Sequence, residues 1–293
     1  MSRLVFALMW LVHFLPLGAQ AALGNALGGL LFWLIPERRR VTRINLERCF
    51  PDMEPAARER LARAHFRAFT RSFVERGILW WSSRSRIARL VRLEGLEHLK
   101  ALGDAPAILF VPHFVGLDAG GTRVTAEVDI VAMFARQKDP RFTRLLRHGR
   151  TRFGKQRMVM RGEGVRAAVN AMVREKRPFY YLPDLDHGPR NAIFVPFFGV
   201  PAATVPGLSR IAKLAGAKVL PCVTRMLPGG AGYVARIEPP WADFPTDDVE
   251  ADTRRMNAYI ERKVLEMPEQ YLWMHRRFKT RPPGEAPFYE RLE

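Results

Sequence analysis

The sequence predicts an α/β fold: a central mixed, largely parallel sheet flanked by helices, with an N-terminal hydrophobic membrane-anchor helix in front of it. Three observations carry that expectation. Beyond residue 100, short apolar runs alternate with segments of helical period. Within one such segment, 163–175, Val165, Ala168, Val169, Met172 and Val173 recur at i, i+3, i+4, i+7 and i+8. No charged residue occurs between Leu4 and Ile35.

Taken in chain order, the uncharged Leu4–Ile35 stretch exceeds the roughly 20 apolar residues that a membrane-spanning helix needs. Pro16 to Gly18 offers a break, so a re-entrant pair fits the same residues. A cleaved signal peptide fits less well, because arginines rather than a small-residue cleavage site follow; a buried core helix is the remaining reading. Glu37-Arg38-Arg39-Arg40, Arg43 and Arg48 come next, and the cationic side of an anchor is normally cytoplasmic. Pro51 to Pro55 opens a helix running to about Gly77, with Ala62, Phe66, Phe69 and Phe73 as its apolar stripe and arginines over much of the remainder. Such a helix suits either an anionic membrane surface or packing on a domain. Ile87–Leu90 reads as a second amphipathic piece leading to a strand at 91–93. Further strands are expected at 107–111, 129–133, 158–160, 179–182, 193–195, 218–223 and 233–237. Helices are expected near 118–127, 139–152, 163–175, 203–215 and 252–266.

The chain has 293 residues, enough for one large domain or two small ones. Its net charge of +18 implies anionic partners: nucleic acid, a phospholipid surface or a phosphorylated substrate. Cys49 and Cys222 suggest no disulfide framework and match no metal-site spacing.

The chemistry concentrates at the end of the 107–111 run. Pro112 ends that strand, since proline brings no donor to a ladder. His113 follows, and Asp118 comes five residues later. On one continuous helix, positions i and i+5 point about 140° apart. The two side chains meet only if His113 lies on the turn and Asp118 in the first turn of the next helix, with Gly116 easing the bend. Neutral imidazole with a carboxylate on its other nitrogen is a general base near pH 7. No GxSxG elbow occurs, and no serine or cysteine neighbours His113 in sequence, so the attacking oxygen is expected to come from a substrate. The bland alternative is a histidine capping a turn and an aspartate capping a helix.

Other segments are open at this level. The helix near 139–152 carries Arg141, Arg144, Arg147, His148 and Arg150, read either as a solvated face or as a phosphate clamp. A second strand-end loop holds Asp184, Asp186, His187 and Arg190, which suit a divalent ion, substrate hydroxyls or an Asx-turn. The run Gln270–Pro282 alternates aromatics with arginine and lysine, a composition that stacks bases or borders lipid head groups.

Several of these segments together resemble the late acyltransferases of lipid A biosynthesis, the lauroyl and myristoyl transferases of Gram-negative bacteria. They are the apolar N-terminus, His113-Phe-Val-Gly-Leu-Asp118, His148-Gly149-Arg150, Pro183-Asp-Leu-Asp-His-Gly-Pro-Arg190, Val195-Pro-Phe-Phe198 and Gln270–Pro282. The resemblance covers nearly the whole chain. It implies a glycerolipid-acyltransferase-like domain over 91–293, an amphipathic helical region over 37–90 and a membrane anchor over 1–36. It also implies an enzyme of the bacterial inner membrane whose catalytic domain faces the cytoplasm. Such an enzyme moves a fatty acyl chain from acyl carrier protein to a hydroxyl of a lipid A precursor. Carried over residue by residue, His113 is the base and Asp118 its partner, while Arg150, Asp184, Asp186 and Arg190 bind substrate. The expected partners are acyl carrier protein, a phosphorylated glycolipid acceptor and an anionic membrane. Neither nucleic acid, nor a metal, nor a cofactor beyond the thioester co-substrate is expected. One departure is Asp118, where the lauroyl enzymes carry glutamate, which leaves acyl length and acceptor position open. A related acyltransferase acting on a lysophospholipid, an amino-acid lipid or a pigment head group fits the same base and anchor. A non-catalytic binder of nucleic acid or anionic lipid would rest on charge alone.

Overall fold

The computed structural model describes residues 2–137 and 139–289. Six helices precede the sheet: α1 (Ser2–Val12), α2 (Leu17–Leu34), α3 (Pro36–Cys49), α4 (Pro55–Val74), α5 (Arg76–Trp81) and α6 (Arg84–Leu90). Strands and helices then alternate: β1 (Val91–Glu94), α7 (Leu96–Lys100), β2 (Ala107–Phe110), α8 (Leu117–Thr125), β3 (Val131–Phe134), α9 (Pro140–Thr151), β4 (Arg157–Met160), α10 (Gly164–Arg174) and β5 (Phe179–Tyr181). A hairpin, β6 (Ile193–Phe197) and β7 (Val200–Thr204), leads to α11 (Gly207–Ala215), β8 (Lys218–Met226), β9 (Tyr233–Ile237) and α12 (Val249–Glu266).

Seven strands form one sheet in the order β1-β9-β8-β2-β5-β3-β4. Its neighbours pair in parallel except β8 with β9, so the sheet is mixed and largely parallel, as the alternating pattern predicts. β2 lies in the middle, with Ile108 opposite Phe179 on one side and Val219 on the other. All four of its residues are buried, which is why it reads as an unbroken apolar run rather than an alternation. Successive side chains point to opposite faces. Ile108 and Phe110 enter the core under α10, α11 and α12, and Ala107 and Leu109 enter the core on the other face.

The N-terminal helices belong to the same body. Phe32 of α2, Leu46 of α3 and Phe66 of α4 share a core with Ile108 and Phe110. Of the two settings open to the helix beginning at Pro55, packing on the domain is the one found, with Ala62 and Phe66 fully buried. The uncharged N-terminal stretch is two helices, not one. Pro16 sits at the N-cap of α2, where its missing donor is harmless and its fixed φ suits a helix start.

The structure departs from the expected pattern over 193–215. A helix was expected from 203, but 200–204 is β7 and α11 begins only at Gly207. The hairpin turn is Phe198-Gly199, both at positive φ, as a type I′ turn requires. A phenylalanine there gives no turn signal. It is held by its N–H donating to Glu261 Oε1 at 2.8 Å.

Helix α8 sits hard against β8. The space a Cβ would occupy on Gly120 lies 1.9 Å from Thr224 Oγ1, and on Gly116 it lies 2.7 Å from the Thr224 carbonyl oxygen. These two glycines, one turn apart, let the helix that carries Asp118 approach the sheet. Gly120→Ala therefore overpacks a closed contact, and its better helix propensity does not compensate. A loss of about 1–3 kcal/mol is expected in urea unfolding, and an unchanged midpoint would refute the close-approach account.

Candidate active site

Loop 111–118 leaves the centre of the sheet, where open α/β sheets keep their sites. A second segment clamps it. Leu272 N–H donates to the His113 carbonyl at 3.1 Å, Val115 N–H donates to the Gln270 carbonyl at 2.8 Å, and Phe114 pairs with Tyr271 as an isolated antiparallel bridge. Gln270 is itself fixed by two side-chain hydrogen bonds to the backbone of Met226. The 270–282 run is therefore scaffold. Tyr271, Trp273, Arg277 and Phe278 are buried, and they neither stack on bases nor border lipid as their composition suggested. The signal that misled is local alternation, which records residue type but not what lies against it.

His113 does not use Asp118. Its Nδ1 lies 2.6 Å from Asp184 Oδ1, and its backbone N–H donates to Asp184 Oδ2 at 2.9 Å. Asp184 lies in the loop just after the neighbouring strand β5, so adjacent parallel strands deliver the imidazole and its carboxylate to the same edge. The carboxylate is fully buried. Burial alone would raise its pKa, but His113 beside it and the Arg277 guanidinium nearby hold it below the ordinary range. An ionised carboxylate only accepts, so Nδ1 carries the proton and Nε2 presents its lone pair. The side chain of His113 is 15% exposed, enough for one face to be reached.

Asp118 sits in the first turn of α8 and does different work. Its Oδ2 accepts from Arg76 Nη2 at 2.6 Å and its Oδ1 from Arg150 Nη2 at 2.9 Å. Burial opposes its charge, but the two guanidiniums outweigh burial and bring its pKa to about 2. The expected His113–Asp118 hydrogen bond is not made: Asp184 engages the His113 Nδ1, and Asp118 turns to the two arginines. Arg76 was not legible as a site residue. It comes from α5, 42 residues earlier in the chain, and in sequence it was one arginine among many on an amphipathic segment. Arg150 remains a third exposed.

Asp118 and Arg150 stand in the wall of a small cavity of about 70 Å³ between α8 and the strands β3, β4 and β5. Its other walls are mostly apolar, including Leu117, Ile130, Met133 and Met158. The Tyr180 hydroxyl also reaches it, donating to the Leu117 carbonyl at 2.9 Å. A mostly apolar chamber with the Arg150 guanidinium and its Asp118 carboxylate in the wall suits a substrate with a greasy tail and an anionic or polarised head.

The remaining loop residues separate. The Asp186 carboxylate accepts from Gly188 N–H, Thr280 N–H and the Thr280 hydroxyl, and the residue is buried. It ties the loop to the C-terminal segment rather than standing open to a substrate. Asp184 and Asp186 thus face different partners, and among the described residues no His, Cys, Asp and Glu cluster is arranged to hold a metal ion. Arg190 is exposed at the turn before β6. The Cys49 and Cys222 thiols are buried and pushed up, Cys222 to about 12, so neither supplies a thiolate near pH 7.

Two further imidazoles are structural. His65 donates from Nδ1 to the Glu269 carbonyl, and His275 Nε2 accepts from Asp186 N–H. Burial lowers both to about 4, so both are neutral in the folded chain at pH 7. Once unfolded, each binds a proton near the ordinary value of about 6.5. Between those values the unfolded state holds more protons, so stability rises with pH and is lost as pH falls from about 6.5 to about 4. The urea midpoint should be level above pH 7 and clearly lower at pH 5, and a flat profile between 7 and 5 would remove these two rings from the account.

A family model for bacterial lipid A biosynthesis acyltransferase matches residues 1–280. The chain is 33% identical over 287 residues to the lipid A biosynthesis lauroyltransferase of Escherichia coli (strain K12), covering 97% of this chain and 93% of that one. It is 32% identical over 284 residues to the palmitoleoyltransferase of the same organism, covering 96% and 92%. To the myristoyltransferase of that organism it is 32% identical over 258 residues, covering 87% and 79%.

Proposed function

The chain belongs to the bacterial lipid A biosynthesis acyltransferases, and from that premise we propose that it transfers a fatty acyl chain from an acyl-carrier-protein thioester to a hydroxyl of a phosphorylated lipid A precursor. The reaction takes place at the cytoplasmic face of the inner membrane, where both substrates are found. The observation that carries the mechanism is the hydrogen bond from His113 Nδ1 to Asp184 at 2.6 Å, which leaves Nε2 as a base.

His113 Nε2 takes the proton of the acceptor hydroxyl as its oxygen attacks the thioester carbonyl. A C–O bond forms and the carbonyl oxygen becomes an oxyanion. Asp184 holds the ring in one tautomer and stabilises the imidazolium. The tetrahedral intermediate then collapses, the C–S bond breaks, and the imidazolium returns its proton to the departing thiol. No acyl-enzyme forms. Arg150 supplies donors to the oxyanion or to a phosphate of the acceptor, with Asp118 and Arg76 fixing its guanidinium. The apolar cavity beside Arg150 holds the acyl chain. Both partners are anionic, so a protein of net charge +18 meets each faster than a neutral one would.

The test is to incubate purified protein with acyl-carrier-protein thioesters of several chain lengths and with several acceptors, and to analyse the lipids by mass spectrometry. Acylation of the lipid A precursor is expected. Transfer confined to a lysophospholipid would remove the acceptor assignment, and transfer from an acyl-coenzyme A but not from the carrier protein would remove the donor.

A further inference from the structure

Helix α2 has the length and composition to cross a membrane. Its 18 residues extend about 27 Å against a hydrocarbon core of about 30 Å. Yet both of its ends rest on the same folded body. At the near end, Arg86 of α6 donates to the carbonyls of His13 and Leu15, at 2.8 and 3.1 Å. There too, Gly230 in the β8–β9 loop lies so close that a Cβ on it would sit 2.5 Å from Gly18 Cα. At the far end, the Phe32 ring packs edge-on against Phe66 at 5.1 Å, and Arg39 donates to the Phe32 carbonyl at 3.0 Å. Between them, Gly24 and Gly28 lie directly on α4, where a Cβ would come within 2.6 Å of the Cα atoms of Arg71 and Arg67. The two helices run antiparallel in close contact along α2.

A helix pinned at both ends to one side cannot have its ends on opposite faces of a bilayer. Standing α2 upright would also draw the exposed Arg63 and Arg67 of α4 into hydrocarbon, where each arginine is strongly unfavourable. The face of α2 away from α4 is nevertheless greasy. Leu23, Leu27, Leu30 and Leu34 are exposed at spacings of four, three and four, one stripe along the helix. Leu4, Leu8 and Leu11 make a matching stripe on α1, and Phe14 and Leu15 are exposed at the corner between them. Arginines flank it: the exposed Arg63 and the half-buried Arg39 stand over the Trp33 ring at 5.0 and 5.3 Å, the aromatic and cationic pairing of a head-group border.

We propose that α1 and α2 form an in-plane anchor, seated by this face in the acyl region of one anionic phospholipid leaflet, without crossing the bilayer. The described residues of α1, Ser2–Val12, reach about 16 Å, roughly half of the hydrocarbon core. The anchor borders the active site, because the Phe6 ring of α1 stacks on Phe142 of α9, the helix that carries Arg150. An acceptor lipid therefore reaches the arginines sideways from the leaflet it occupies. This rests on the proposed membrane-resident acceptor.

Epitopes are appended to the N- and C-termini of the full chain, expressed in a Gram-negative host, and each is exposed to protease in intact and in lysed spheroplasts. Both epitopes lying on the same side, in protein that stays with the membrane pellet, is the expected result. Epitopes on opposite sides would overturn the in-plane anchor and leave membrane residence intact; recovery in the soluble fraction would overturn membrane residence itself. In a second arm, purified protein is floated with phosphatidylethanolamine–phosphatidylglycerol vesicles. The exposed pair Leu27→Glu and Leu30→Glu should weaken binding about tenfold or more while leaving thermal unfolding in place, and unchanged binding would overturn the assignment of this face.

Discussion

Replacing His113 with alanine should lower acyl transfer by roughly 10²–10⁴-fold while the protein remains folded. The loss falls on kcat, because the ring acts as the attack begins rather than in holding either substrate. The fold should survive, since the backbone of His113 supplies the bonds that fix the loop: its carbonyl to Leu272 and its N–H to Asp184. The side chain is partly exposed and contributes little core. Single-turnover transfer from a radiolabelled acyl carrier thioester to the lipid A precursor measures the effect. Near-normal turnover would remove His113 as the base, and a labelled acyl-protein in wild-type enzyme would remove direct attack.

Asp184→Asn is the second large effect, and it discriminates between the two carboxylates. An amide in this place can present N–H to Nδ1, which would drive the imidazole proton to Nε2 and leave no lone pair toward the acceptor. It also removes the charge that stabilises the imidazolium. Together these should reduce kcat by about 10²–10⁴-fold, with KM for the acceptor little changed. Asp118→Asn is the control, because it leaves the Asp184–His113 bond in place and loosens Arg76 and Arg150 instead. Its defect should appear mainly in KM for the anionic acceptor and should be largest at low salt. If Asp118→Asn abolished turnover while Asp184→Asn was mild, the assignment of partners would be reversed.

Much of the site was legible as chemistry and little of it as geometry. Strand 107–111 followed by proline and histidine placed an imidazole at a sheet end from local pattern alone. The second loop was equally visible as a crowd of acids after β5. Which acid served the histidine was not visible. His-x4-Asp is short in sequence, so Asp118 looked like the natural partner, whereas Asp184 lies 71 residues away and one strand over. Parallel pairing of β2 with β5 makes that separation vanish. Arg76 and Arg277 escaped notice for the same reason: a buried or paired arginine looks like any other until its neighbours are known.

By itself the sequence determined the alternation of strand and helix, the greasy N-terminus, the basic charge and the place of a histidine at a strand end. These follow from periodicity, composition and residue chemistry, which act within a few residues of chain. Tertiary structure alone decided that Asp184 rather than Asp118 orients the imidazole, that Asp118 instead gathers two arginines, and that α2 lies along α4 with both ends on one body. Each of those depends on contacts between residues tens to hundreds of positions apart, and no local pattern encodes which distant surfaces close packing will bring together.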